Sequence, residues 1–268
     1  MRDQARPITN DERSARIEKA KQLMRDEKLG AIVLTPGTSL VYFTNVHWSG
    51  GERLFACVIP AKGEAFFVCP AFEEDRAREQ IAGRADVRTW QEDESPYALL
   101  ARGLSDRGVS TGSIGIDETA KFVWSDGIAA AAPHAHIVSA TPVTAGCRMI
   151  KDAHELDLMR IASAATLKVY EAVYRSLEAG MTQNDVSALI NAAYRRVGFP
   201  GEASVQVGAY TALPHGSITP RAAASMLSSG TPGFVVRSAT VCAFFTMSKT
   251  RFALSLPLPN TNVRVMSD

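Results

Sequence analysis

Short apolar runs alternate with helical stretches along the first half of this 268-residue chain. That alternation restricts the fold more than any other feature. Asp11 to Lys28 places Ile17, Ala20, Leu23 and Met24 at helical spacing, and Gly30 is expected to close that helix. Ala31 to Leu34 is a buried-strand signal followed by the turn residues Thr35, Pro36 and Gly37. Leu40 to Phe43 is too short to choose between a helical turn and a strand. Phe55 to Ile59 and Ala65 to Cys69 are β-rich, and Pro60 to Gly63 between them predicts a hairpin. Glu73 to Ile81 is expected as a charged surface helix, Val87 to Trp90 as a strand and Tyr97 to Asp106 as a helix. Ser113 to Ile116 and Ile137 to Val138 complete the strands. Strands and helices at this spacing predict an α/β domain over residues 1–147, ending near Pro142 to Cys147.

The texture then changes. Lys151 to Glu178 is one long helical pattern, stopped by Ala179 and Gly180. Thr182 is a good N-cap for a helix running to about Val197 and closed by Gly198. Asp185 stands where a capping box favours Glu, which makes that box weak. Val205 to Val207 is a strand candidate and Tyr210 to Pro220 a loop. All but one of the 28 acidic residues precede His215, and the exception is Asp268. Arg221, Arg237, Lys249, Arg251 and Arg264 are the basic residues of that stretch, in which Phe234 to Met247 is β-rich.

Composition is globular, at 46% hydrophobic and 21% charged. The net charge of +1 gives no bulk attraction to nucleic acid or an anionic membrane. The first residues are charged without an apolar h-region, and Gly233 to Met247 is too short to span a bilayer and is broken by Arg237. Cys57, Cys69, Cys147 and Cys242 are scattered, as expected of buried thiols in a cytoplasmic protein. There are no internal repeats.

Among residues with chemistry, His215 stands between Pro214 and Gly216, which suggests a fixed backbone presenting the ring to a cleft. Its ordinary pKa suits acid or base work near neutrality; an exposed turn histidine is the plainer reading. His134 and His136 are an i, i+2 pair with no third ligand at useful spacing. His47, Trp48 and Arg53 fit a surface loop better than a pocket lining. Glu73, Glu74 and Asp75 read as a solvated helix start. Arg148, Lys151 and Glu155 lie at i, i+3 and i+7, the spacing of a surface ion-pair ladder on one helical face.

The order of several segments adds a resemblance. Arg148, Lys151 and Glu155 resemble the R-x-x-K-x-x-x-E opening of the catalytic domain of the pita-bread metallopeptidases, a family that includes Xaa-Pro dipeptidases (prolidases), Xaa-Pro aminopeptidases and creatinase. Gly180-Met-Thr-Gln183 and Val207 to Gly216 continue it, and Arg13 to Met24 with Ala31 to Leu34 and Leu40 to Thr44 looks like the creatinase-type N-terminal domain. The resemblance covers about residues 10–221. It implies an α/β N-terminal domain followed by an incomplete α+β pita-bread catalytic domain beginning at residue 148, with 222–268 an atypical tail. It implies hydrolysis of the peptide bond preceding proline by two divalent metal ions, manganese or cobalt, held by two Asp, one His and two Glu. A bridging hydroxide is the nucleophile. It places His215 at substrate contact or proton transfer, and implies proline-containing peptides as substrates and a possible homodimer.

The sequence departs from the family after His215. Where the two Asp ligands are expected, residues 228–243 contain no carboxylate, and no metal ligand can be assigned. The expectation is therefore a truncated chain, inactive by itself, with a tail out of frame from a point between Arg221 and Gly230. An in-frame tail folding as an extra strand pair is the rival. Two alternatives to the peptidase are a non-catalytic dimerisation or interaction module and a metal-free creatinase-type amidino hydrolase using His215 as base.

Overall fold

The computed structural model describes residues 1–201 apart from 82, 84, 179 and 180, together with strands 203–207, 234–238, 245–248 and 251–254. The chain divides into two compact units, Ile8–Lys151 and Met1–Pro7 with Asp152–Asp268.

The unit Ile8–Lys151 is a mixed six-stranded sheet between two layers of helices. Its elements are α1 (Asn10–Asp26), β1 (Leu29–Leu34), α2 (Thr38–Thr44), β2 (Ala56–Pro60), β3 (Phe66–Pro70), α3 (Glu74–Gln80), β4 (Asp86–Trp90), α4 (Pro96–Ser105), β5 (Gly112–Ile116), α5 (Phe122–Ala131), β6 (Ala135–Ser139) and α6 (Thr141–Met149). The strand order is β4-β3-β2-β1-β5-β6. β2 runs antiparallel to both β1 and β3, and the other neighbours are parallel. The expected hairpin is the β2–β3 pair, with Gly63 at φ +91° in its turn, a conformation that glycine adopts without strain.

The three central strands are apolar throughout because both faces are covered. Ile32, Leu34, Cys57, Ile59, Phe67 and Cys69 face one core with Met24, Phe43 and Val143. Ala31, Val33, Ala56, Val58, Phe66 and Val68 face the other with Leu100, Leu104, Trp124 and Ile128. Period-two alternation thus separates two cores rather than core from solvent.

One local expectation is corrected, and three segments left open or unassigned are placed. α1 ends at Asp26, and Lys28, not Gly30, takes the left-handed conformation at φ 56°. Gly30 lies inside β1, where a Cβ would stand 2.8 Å from Val109 Cγ1. The Leu40 to Phe43 segment is helical, as part of α2. α5 and α6 are helices to which the sequence reading assigned no element.

In the second unit, α7 (Ala153–Arg175) and α8 (Gln183–Val197) pack with β7 (Ala203–Val207). Val169, Val173, Val186, Ile190, Tyr194 and Val205 form their shared core. Both helices begin with closed capping boxes, Asp152 with Glu155 and Thr182 with Asp185. The shorter Asp185 side chain reaches the Thr182 amide at 2.8 Å, so this box is fully formed despite the departure from Glu. β8 (Phe234–Ser238) pairs antiparallel with β7, and β9 (Phe245–Ser248) with β10 (Arg251–Leu254).

Candidate functional site

His215 and the loop that carries it lie outside the described residues, as does the Arg221 to Gly230 segment. The other candidates can be placed. His134 occupies the turn before β6 and His136 the strand itself, both exposed. Among the described residues, no group of three or more His, Cys, Asp or Glu is arranged to hold a metal ion.

His47, Trp48 and Arg53 do not converge on a ligand. The Trp48 ring stacks on Phe55 at 4.0 Å, and the Arg76 guanidinium lies 4.4 Å from its centroid. Arg53 is a fork on Glu92, with bonds of 2.6 and 3.0 Å. Glu73 and Glu74 pair with Arg76 and Arg78, and Glu74 and Asp75 occupy the first turn of α3, the arrangement expected of a solvated helix start.

The ladder of Arg148, Lys151 and Glu155 is not formed. Asp152 caps α7, so the helix starts after Lys151, and the three residues share no helical face. Arg148 lies in the last turn of α6 and donates to Glu118 at 2.6 Å. The Lys151 ammonium donates to the Arg148 carbonyl. Glu155 accepts from the Asp152 amide at 3.0 Å, which closes the cap.

The most concentrated polar chemistry lies at the C-terminal ends of β1 and β5. Asp117 is 5% exposed and Thr35 1%. The Asp117 carboxylate accepts from the Thr35 amide, from Thr35 Oγ1 at 2.7 Å, and from Thr119 N and Oγ1 at 2.9 and 2.7 Å. With four donors satisfied, it latches two strand ends together. Beside it, burial works to raise the Glu118 carboxyl, but its own backbone amide, Thr144 and Arg148 outweigh that and hold it below the usual range. An Asp after a strand, followed two residues later by Thr, is an Asx-turn signal that would have found this latch in the sequence.

Residues 16–150 match the Creatinase/Prolidase N-terminal domain, about half of the chain, and residues 157–245 match Metallopeptidase family M24. The chain belongs to the M24 metallopeptidases. Its M24 match continues through the stretch where composition changes, to residue 245. An uncharacterized peptidase of Schizosaccharomyces pombe is 30% identical over 232 residues, covering 81% of this chain and 50% of the relative. The probable dipeptidase PepE of Mycobacterium tuberculosis is 30% identical over 204 residues, covering 75% and 52%. The solved dipeptidase PepE from Mycobacterium ulcerans superposes with a TM-score of 0.72 at 26% identity, over 87% of this chain and 66% of that one. The chain thus spans about half the length of the curated relatives it matches. The fold expected from the resemblance, a creatinase-type N-terminal domain with part of an M24 domain, is the one observed.

Proposed function

We propose that this chain derives from the Xaa-Pro peptidase branch of the M24 family, and that residues 1–268 do not by themselves hydrolyse peptides. The first half is supported by the Gly180-Met-Thr-Gln183 and Pro214-His-Gly216 segments and by relatives named as dipeptidases. The observation that carries the second half is the distribution of carboxylates. Between His215 and Val265 there is no Asp or Glu, and strands β8 and β10 carry Arg237 and Arg251 instead.

A pair of divalent ions such as manganese or cobalt needs anionic oxygen ligands to hold it and offset its charge. One histidine and several guanidinium groups do not supply them, so the residues present in this stretch do not fit the dinuclear centre. No metal-borne step is assigned to this chain. His215 keeps the role that family position suggests, contact with a substrate carbonyl or transfer of a proton. Proline-containing peptides remain the proposed ligand class, the cytoplasm the proposed compartment, and a homodimer the proposed assembly.

A second reading concerns the tail. Continuation of the M24 match to residue 245 and the pairing of β8 with β7 support a tail that keeps the family frame, with its carboxylates replaced. The abrupt loss of acids supports a shifted frame. Sequencing the transcript from codon 215 onward in all three frames separates the two.

The functional test is direct. The purified chain is incubated with Mn²⁺ or Co²⁺, desalted, analysed for retained metal and assayed on Ala-Pro and Gly-Pro. The expected result is no stoichiometric metal and no hydrolysis. Retained metal with hydrolysis abolished by His215→Ala would overturn the proposal.

A further inference from the structure

One side of α1 changes character along its length. Asn10, Arg13, Ser14 and Ile17 recur at i, i+3, i+4 and i+7, so they share a helical face. Ile17 packs on the core, and Ala20 further along is buried in it. The three polar residues stand instead at the rim of a cavity of about 210 Å³.

The interior of that cavity is apolar. Ile17, Phe43, Phe67 and Ile81 supply its large side chains. Ala65 immediately before β3, Ala85 immediately before β4, and Cys57, which pairs with Phe67 across β2 and β3, supply its small ones. Those small side chains leave the space open where bulkier ones would close it. An apolar cavity of roughly 150 Å³ is enough to take up benzene. This one therefore has room for a single ring carrying a short arm.

The rim is built to donate. Arg13 Nη1 donates to Asn10 Oδ1 at 3.0 Å, which orients the pair. The remaining guanidinium N–H groups and the Asn10 amide NH₂ are left as donors. Among the described residues no carboxylate pairs with Arg13. Its neighbour Glu12 is turned back on the Thr9 amide and hydroxyl, at 2.7 and 2.9 Å. The rim hydroxyls are committed: Ser14 Oγ donates to the Asn10 carbonyl at 3.0 Å, and Thr44 Oγ1 to the Leu40 carbonyl at 2.6 Å. The entrance thus carries a positive charge and amide donors over an apolar interior.

We propose that this cavity binds a small apolar monocarboxylate, with one ring or short branched chain inside and the carboxylate on Arg13 and Asn10. The planar guanidinium fork matches a carboxylate, and such charge-assisted bonds are the strong ones. Inorganic phosphate would leave the apolar walls uncovered, and a neutral hydrocarbon would leave the rim donors unmatched. Every residue of the site lies within Ile8–Lys151, so the proposal is independent of peptide hydrolysis.

Isothermal titration of the full chain with phenylacetate tests the site, with benzyl alcohol, acetate and inorganic phosphate as comparisons. The expected result is saturable binding of phenylacetate at one site, tighter than benzyl alcohol, with no saturation by acetate or phosphate. Arg13→Gln should weaken phenylacetate about tenfold and leave benzyl alcohol unchanged, because it removes the charge and keeps the cavity. The location is read separately from ¹³C-labelled isoleucine δ1 methyl groups. Ile17 and Ile81 should shift during the titration, and Ile128, in the core on the other face of the sheet, should not. No saturable binding, phenylacetate binding indifferent to Arg13→Gln, or shifts that spare Ile17 and Ile81 would each overturn the proposal.

Discussion

Replacing Asp117 with alanine tests the view that this carboxylate is a structural latch. Its four hydrogen bonds divide by burial. Thr119 is exposed, so water replaces the lost acceptor there at little cost. Thr35 is 1% exposed, so its amide and hydroxyl would both be left buried without that partner. Each buried donor deprived of its acceptor costs about 1–3 kcal/mol, which places Asp117→Ala at roughly 3–5 kcal/mol once the small Thr119 loss is added. Asp117→Asn retains one acceptor oxygen but turns an amide group toward the remaining donors, for a loss of about 2 kcal/mol. Thr119→Ala should cost under about 1 kcal/mol. Urea unfolding followed by tryptophan fluorescence measures all three, because Trp48, Trp90 and Trp124 lie within Ile8–Lys151 and report that unit. A loss under about 1 kcal/mol for Asp117→Ala, or a Thr119 variant as damaging as the Asp117 one, would refute the latch.

Further outcomes follow from the same structure. Burial works to raise the Asp86 carboxyl, but Arg107 and Arg88 outweigh it and hold it below its ordinary value. Its contribution is therefore complete at neutral pH and is lost as pH falls through the depressed folded value. Asp86→Asn should flatten the acid limb of a stability–pH profile by under about 1 kcal/mol, since the group is partly exposed. Thr182→Ala opens the capping box of α8 and should cost about 1 kcal/mol, visible as faster hydrogen exchange in the first turn of α8. Gly103→Ala drives a methyl into the Phe66 ring and should lower stability by about 1–3 kcal/mol in the same urea titration. Burial pushes the Cys57 thiol up and the Cys69 thiol up to about 12, so neither should react with a disulfide reagent at pH 8 until the chain is unfolded.

The sheet was legible in the sequence where burial on both faces makes a strand read as an unbroken apolar run, as in β1, β2 and β3. α5 was not, because the exposed Phe122 and Val123 in its first turn blur the short i, i+4 face that Trp124 and Ile128 bury. The α6 segment was read only as the end of a domain near Pro142 to Cys147, yet proline in the first helical turn is a start signal, and Val143 and Cys147 supply an i, i+4 face. The ion-pair ladder failed because spacing says nothing about a cap: Asp152 interrupts the helix between Lys151 and Glu155. The missing carboxylates were legible for a simpler reason. A composition deficit is a property of the chain and needs no fold to be seen.

The capping box at Asp152 has a consequence for how this architecture can be assembled. Asp152 is the first residue of its unit after the division at Lys151, and the bonds that start α7 close between Asp152 and Glu155. The cap is therefore closed by Asp152 and the first turn itself, while the His154 ring in that turn also meets the Arg6 carbonyl at 3.1 Å. A gene fusion, duplication or exchange with its breakpoint at this codon would deliver residues 152 onward with their first helix already started, but without the Met1–Pro7 segment that belongs to the same unit.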